Sequence, residues 1–313
     1  AVAFLSTSMT SSVAAAPTEG YLSPAALAVA EDAKTLFIAC ETASQVAVFD
    51  IGRNEITRKI TVPASPSGLA LARGGSLLYV TCAGPESTVC VLDVQEGKVM
   101  KRIRAGHTAL APVLSPDGKT LYVCNRFNDA VSFIDLAKGA EARRVSVPRE
   151  PVAAAVTPDG KFLLVANHIH AGRSDADYVA SSVSLIDTAA GRVVKEIALP
   201  NGSGLLRDVR ISPDGQFACV THLLSRFHLP TTQVERGWIN SNALTLIDLA
   251  AMKLINTVLL DNIDSGAANP WAAGWTADGK TLCVTHAGTH ELTVIDVPAL
   301  LRKLARIPAT LDP

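Results

Sequence analysis

Histidine side chains offer the clearest opportunity for chemistry in this sequence. The chain has 313 residues and seven histidines, and six of these follow short apolar segments: His168, His170, His222, His228, His286 and His290. Imidazole is the commonest transition-metal ligand, so convergence of these side chains would create a metal site. Against this, the sequence has no compact ligand motif such as HExxH.

Arginines and aromatic residues near the histidines suggest a second interpretation, a surface that docks a partner protein or domain. Arginine and aromatic side chains are enriched in such surfaces. The candidates are Arg126, Phe127, Arg207, Arg226, Phe227 and Trp238. A third interpretation gives the histidines and arginines a structural role, in which they order long loops through hydrogen bonds and line a wet channel. The sequence leaves these three interpretations open.

Motifs for catalysis by the chain itself are absent from the sequence. It contains no G-x-S-x-G elbow, no P-loop and no G-x-G-x-x-G after a strand. It also lacks the C-x-x-C-H motif that attaches haem covalently. We therefore expect no catalytic activity from this chain alone. The cofactors left open are a transition metal or the haem of a partner domain.

The elements that position these residues come from a repeated unit, whose plainest copy is residues 115–136. Pro116, Asp117 and Gly118 predict a turn, and short β-branched strands lie on both sides of the next connection. An aspartate ends the V-x-V-x-D strand of every copy: Asp50, Asp93, Asp135, Asp187, Asp248 and Asp296. A catalytic group is rarely needed six times, so we expect this aspartate to cap the following turn by accepting backbone N–H bonds.

The spacing of the repeats predicts an all-β fold, a β-propeller of four-stranded antiparallel blades with six blades visible. Successive aspartates are 43, 42, 52, 61 and 48 residues apart. Because strands alternate in direction, the connections after the second strands and between blades lie on one side, here called the loop face. The S-P-D-G turns lie on the other side, the turn face. The long steps come from insertions at residues 168–180 and 222–242, so the candidate residues collect on the loop face.

The second strands carry a motif that resembles the repeat of a known family. The copies are Phe37-Ile-Ala-Cys, Tyr79-Val-Thr-Cys, Tyr122-Val-Cys-Asn, Leu164-Val-Ala-Asn, Cys219-Val-Thr-His and Cys283-Val-Thr-His. They resemble the YVTN motif of bacterial YVTN-type β-propeller proteins over about residues 21–297. The insertion at 226–240 and the segment from Val284 to Glu291 resemble exported members joined to a C-terminal di-haem cytochrome c peroxidase-like domain. This resemblance implies a protein partner or a covalently linked cytochrome-type domain that carries haem.

The number of blades is the open question of the fold. The sixth unit lacks an outer strand, because residues 300–305 look helical. Propellers of the family mostly have seven blades, which implies that residues 17–313 are a propeller domain truncated at the C-terminus and part of a seven-bladed ring. A closed six-bladed ring is the alternative. An incomplete ring would leave apolar faces of the end blades open to solvent.

The six cysteines predict free thiols rather than disulfides. Cys40, Cys82 and Cys124 occupy equivalent positions in successive units, and Cys219 and Cys283 share another. Equivalent positions in neighbouring blades are too far apart for a disulfide, whose Cα atoms lie within about 7 Å of each other. We expect buried thiols that act as small hydrophobic groups.

Residues 1–16 differ from the rest and predict export. They are apolar, small and uncharged and end in three alanines, like a secretory signal peptide without its basic start. The alternative is a low-complexity tail. A partial signal peptide predicts a periplasmic or cell-surface location.

Composition narrows the function further. A net charge of −1 with 18% charged residues gives no reason to expect nucleic-acid binding, and no apolar run is long enough to span a membrane. We expect a monomeric, exported scaffold that binds or docks a partner protein or domain in a redox context. The alternative is a metal- or cofactor-binding propeller of oxidoreductase type that uses the histidine cluster.

Overall fold

Six antiparallel sheets, the predicted blades, make up the computed structural model, which describes residues 21–225, 240–262 and 265–307. Blade 1 contains β1 (Pro24–Val29), β2 (Thr35–Cys40), β3 (Gln45–Asp50) and β4 (Glu55–Thr61). Blade 2 contains β5 (Pro66–Leu71), β6 (Leu77–Cys82), β7 (Thr88–Asp93) and β8 (Lys98–Arg104). Blade 3 contains β9 (Ala109–Leu114), β10 (Thr120–Asn125), β11 (Ala130–Asp135) and β12 (Ala140–Ser146). A short 3-10 turn, Arg126–Asn128, follows β10.

The last three blades follow the same order until the chain reaches a helix. Blade 4 contains β13 (Pro151–Val156), β14 (Phe162–Asn167), β15 (Ser182–Asp187) and β16 (Arg192–Ala198). Blade 5 contains β17 (Ser203–Ile211), β18 (Phe217–Ser225), β19 (Asn240–Asp248) and β20 (Lys253–Leu259). Blade 6 contains β21 (Pro270–Trp275), β22 (Thr281–His286) and β23 (Glu291–Asp296), followed by α1 (Val297–Leu304). Among the described residues, five sheets have four strands and the sixth has three. The all-β propeller of antiparallel blades is confirmed, as is a helix in place of the last outer strand.

The blades follow one another around a common centre. The first strand of each blade contacts the first strand of the next, from β1 through β5, β9, β13 and β17 to β21. Apolar clusters fill the spaces between neighbouring blades; between blades 1 and 2, Phe37 and Val46 pack with Leu78 and Cys90. Because each blade has two apolar faces, it needs a neighbour on both sides.

The repeated aspartate caps a turn in all six blades, as predicted. In each, its Oδ1 accepts the backbone N–H three residues later, at 2.8–3.0 Å. In blade 6 the same bond makes Asp296 the N-cap of α1, with Pro298 in the first turn. The same hydrogen bond from the aspartate side chain therefore begins a turn into the fourth strand in blades 1 to 5 and a helix in blade 6.

The S-P-D-G turns have the predicted geometry and pack in sequence on the turn face. Gly118 has a φ of +70°, and its N–H donates to the Ser115 carbonyl at 2.8 Å. A Cβ at Gly160 would lie 3.3 Å from Pro116 of the preceding blade, so the left-handed turn and the close approach both require glycine. The turn face is thus structural.

The two end blades leave apolar walls uncovered. In blade 1, Leu27 and Val29 are 61% and 57% exposed; in blade 6, Leu292 and Val294 are 56% and 63% exposed. At the position equivalent to Val294, Leu185 of blade 4 is fully buried. The open faces predicted for an incomplete ring are therefore present. The described residues form six blades, and a seven-bladed ring stays a prediction.

Among the described residues, no helix has the length and apolar character needed to cross a membrane.

Candidate functional site

The loop face is dominated by the insertions in blades 4 and 5. In blade 5, β18 and β19 have nine residues each, and the rungs Leu223–Asn242, Leu224–Ser241 and Ser225–Asn240 carry their hairpin beyond the blade. In blade 4, the connection from β14 to β15 is fixed to the next inter-blade loop, because the Val179 N–H donates to Asn201 Oδ1 at 2.9 Å. Both insertions project from the predicted face.

In blades 2 to 6, a residue at or near the end of the second strand contacts the third strand diagonally, two residues beyond its cross-strand neighbour. Asn125 Nδ2 donates to Ser132 Oγ at 2.7 Å, and Asn167 Nδ2 donates to Ser184 Oγ at 2.8 Å. In blade 2 the same diagonal joins Cys82 Sγ to Cys90 Sγ at 3.8 Å. We call this the diagonal position. Its residue type changes between blades, but its contact does not.

His222 and His286 occupy the diagonal position of blades 5 and 6. His222 Nδ1 lies 3.0 Å from the Leu223 carbonyl, and its Nε2 lies 2.8 Å from Thr245 Oγ1. A carbonyl only accepts, so Nδ1 carries the proton and Nε2 accepts from the threonine hydroxyl. His286 is bound in the same way by the Ala267 carbonyl, at 2.7 Å, and by Thr293 Oγ1, at 2.8 Å.

Burial sets the protonation state of His222. The residue is fully buried, and removal from water lowers its pKa from 6.5 to about 4, although the hydrogen bond to Leu223 opposes the change. His222 is therefore neutral at pH 7, in agreement with its two hydrogen bonds. Both ring nitrogens already have protein partners.

The other candidate ligands serve separate loops. Nδ1 of His168 donates to the Leu206 carbonyl, and Nδ1 of His170 donates to the Ala180 carbonyl, both at 2.7 Å. His290 is exposed in the turn between β22 and β23, with a φ of +58°. His228 lies outside the described residues. In the described part of the chain, no group of three or more His, Cys, Asp or Glu side chains could hold a metal ion, so metal binding stays a prediction.

Arg126 and Phe127 lie together on the loop face. Arg126 Nη2 and Nε donate to Glu150 Oε2 at 2.8 and 3.0 Å, and the guanidinium lies 5.0 Å from the centre of the Phe127 ring. His107 meets that ring edge-on at 5.2 Å. Phe127 itself is 52% exposed. The result is an apolar side chain held in place by charged and aromatic neighbours, which suits an interface anchor.

Arg207 stacks on a residue that sequence reasoning missed, Trp271. Its guanidinium carbon lies 4.4 Å from the centre of the tryptophan ring. Both residues sit in irregular stretches of inner strands, between Gly204 and Asp208 in β17 and between Pro270 and Ala273 in β21. Such bulges redirect side chains. Arg207 and Trp271 are 64 residues apart, so only the alignment of blades 5 and 6 could have paired them.

Three of the predicted docking residues, Arg226, Phe227 and Trp238, lie outside the described residues. A cavity of about 350 Å³ lies between the described part of the blade 4 insertion and the connection that leads into β17. It is lined by Ile169, His170, Val179, Ser203, Leu205 and Ser225, among others. No motif in the sequence predicts this cavity.

These features define the chain as a β-propeller with an elaborated loop face. No family model matches the sequence. Hydrazine synthase subunit beta of Kuenenia stuttgartiensis is 33% identical over 120 residues, which are 38% of this chain and 31% of that protein. The aligned segment thus spans about a third of that relative. Among solved structures, Kuenenia stuttgartiensis hydrazine synthase matches with a TM-score of 0.84 and 27% identity over 95% of this chain and 83% of the other.

The comparisons confirm a β-propeller. They do not test the YVTN type or the linked cytochrome domain, which stay predictions.

Proposed function

We propose that this chain is the propeller subunit of a multi-subunit redox assembly, in which its loop face docks a protein partner. The likeness to hydrazine synthase carries the proposal, since it extends over 95% of the chain at 27% identity and includes a protein named as a subunit. A subunit must present a surface to its neighbours.

The geometry of the loop face supports docking there. The blade 5 hairpin extends past the other blades, and Phe127 stands exposed between Arg126 and His107. Interfaces concentrate their binding energy in a few arginine and aromatic anchors. The turn face, by contrast, carries short turns, and those of blades 3 and 4 pack together, since a Cβ at Gly160 would lie 3.3 Å from Pro116.

The proposal includes the nature of the partner and the location. The partner is a haem-bearing domain or subunit, linked or separate, as the sequence resemblance implies. The assembly is exported, as residues 1–16 suggest. Cell fractionation followed by haem staining of the purified assembly tests both points.

Site-specific photocrosslinking tests the docking face. A photoreactive phenylalanine replaces Phe127 on the loop face or, as the matched control, Lys119 on the turn face, and the protein is irradiated in its native host. We expect a defined adduct from position 127 and none from position 119. Adducts from position 119 alone, or from neither position, would contradict docking by the loop face.

The substitution Phe127→Ala measures how much this side chain contributes to the affinity for the partner. Phe127→Ala removes the exposed ring without disturbing the buried core, so the isolated chain should stay folded. We expect at least about a tenfold loss of affinity for the crosslinked partner, the usual effect of removing an interface anchor. Lys119→Ala should bind as the native chain does.

A further inference from the structure

Two arginines on the loop face lie close enough for the charge of Arg126 to lower the pKa of Arg207. Arg126 lies in the 3-10 turn that follows β10 in blade 3, and Arg207 lies in β17 of blade 5. Blade 4, between those two blades, contributes Glu150 and His168, and the backbone N–H of His168 donates to the Glu150 carbonyl at 2.9 Å. The pKa of His168 lies below its ordinary value, mainly because the side chain is buried and also because Arg207 and Arg126 are positively charged. The hydrogen bond to Leu206 and the charge of Glu150 raise this pKa and so oppose the change.

Only one of the two guanidinium groups is neutralised. Glu150 Oε2 accepts from both Nε and Nη2 of Arg126, which pairs this carboxylate with Arg126. Arg207 forms no ion pair or hydrogen bond with any residue that the structure describes; its one close partner is the Trp271 ring. The neighbouring Asp208 is turned away, since its Oδ2 is bound to Arg210 Nε and to the Ala273 N–H.

The environment of Arg207 favours an added anion. The pKa of Arg207 is lower than its ordinary value, mainly because the side chain is partly buried and also because Arg126 is positively charged. A guanidinium removed from water beside a second cation gains more from an anion than one on an open surface. Trp271 holds the flat group by stacking, and its 46% exposure leaves an aromatic surface beside the charge.

We propose that Arg207, stacked on Trp271 and lying near Arg126, binds a carboxylate group. The planar guanidinium offers two parallel N–H donors that match the two oxygens of a carboxylate. The two arginines and Glu150 leave one net positive charge, which a singly charged carboxylate balances and a phosphate dianion would exceed. The carboxylate could belong to an acidic protein segment or to a small organic acid.

This inference stands apart from the docking proposal. A small acid could bind at Arg207 even if no protein used the loop face, and a partner could dock on Phe127 without placing a carboxylate here. Each proposal therefore has its own test.

Titration calorimetry at constant ionic strength tests the carboxylate site. The titrants are propionate, for a small acid, and the capped peptide acetyl-Gly-Glu-Gly-amide, for an acidic segment, with acetyl-Gly-Gln-Gly-amide as the neutral control. We expect saturable binding of at least one acidic titrant to the native chain. The titrant that binds more tightly identifies the source of the carboxylate.

Variants locate the binding. Arg207→Gln keeps the length of the side chain and removes its charge, so affinity should fall at least about tenfold. Arg207→Lys keeps the charge but loses the two-donor geometry and should recover only part of the affinity. The matched control is Arg73→Gln, at an exposed arginine of the turn face, which should bind as the native chain does.

Three outcomes would overturn the proposal. These are no saturable binding of either acidic titrant, equal binding of the Gln peptide, or native affinity in a folded Arg207→Gln variant. Circular dichroism establishes folding. Should Arg207→Gln not fold, Trp271→Phe gives a second route, because the smaller ring should weaken binding of the same titrant severalfold.

Discussion

Buried His222 should make the propeller unstable in mild acid by an amount that follows from its pKa. The unfolded chain takes up a proton near pH 6.5, whereas the folded chain holds the imidazole neutral until about pH 4. The stabilising contribution is therefore complete above pH 6.5 and declines as the pH falls. The slope is about 1.4 kcal/mol per pH unit, which gives about 2 kcal/mol lost at about pH 5 and about 3 kcal/mol at about pH 4.

The substitution His222→Asn isolates this contribution. Asparagine occupies the diagonal position in blades 3 and 4, so it can bond Thr245 as Asn125 bonds Ser132, and it does not titrate. Urea unfolding at about pH 7.5 and about pH 5, followed by circular dichroism, measures the free energy of unfolding of each protein. We expect the native chain to lose about 2 kcal/mol more than His222→Asn between these pH values.

A control and a clear contrary result complete the experiment. His290→Asn removes a histidine from an exposed turn and leaves His222 in place, so its acid loss should match that of the native chain. Equal pH dependence of the native chain and His222→Asn would refute the assignment of a neutral, buried imidazole. A constant difference between them at both pH values would report only the loss of a hydrogen bond.

Three further outcomes follow from described contacts. Asp208→Ala should lower the free energy of unfolding by about 2 kcal/mol in urea titrations, because it removes a buried carboxylate that binds the Ala273 N–H of the next blade; an unchanged midpoint would contradict this role. Asp135→Ala should cost about 1 kcal/mol through loss of the turn cap, and a value near zero in the same titrations would count against capping. Cys283 is partly exposed and should react with iodoacetamide before Cys124, which is buried and whose pKa is raised by burial to about 12. Mass spectrometry of the alkylated peptides measures the order of reaction. Earlier alkylation of Cys124 would show that its thiol is accessible.

The repeat made the blades predictable, because its signals are local. The turn at Gly118 and the aspartate at Asp135 each depend on residues within a few positions, and both behave as predicted. The apolar, β-branched run at residues 121–124 predicts a strand, which is Thr120–Asn125 in the structure, longer by one residue at each end. Strand ends depend on neighbouring strands, which the local pattern does not include.

The contacts that form the candidate site join different strands or different blades, and the sequence did not reveal them. His222 stood out because it departs from asparagine at its repeat position, yet Thr245, on the next strand, gives it a structural partner. The contact between Cys82 and Cys90 was likewise missed, because the repeat relates positions in different blades whereas these two thiols lie in the same blade. All six cysteines are free, as predicted.

The uncovered walls of blades 1 and 6 give the molecule two ends that fit each other. Every inter-blade contact joins one kind of blade face to the other kind, so blade 1 of one copy matches blade 6 of a second copy as neighbouring blades match within the chain. Contacts of this head-to-tail type do not close on themselves by a twofold axis, and their repetition builds rings or open filaments. Covering either wall would therefore also block this mode of self-association.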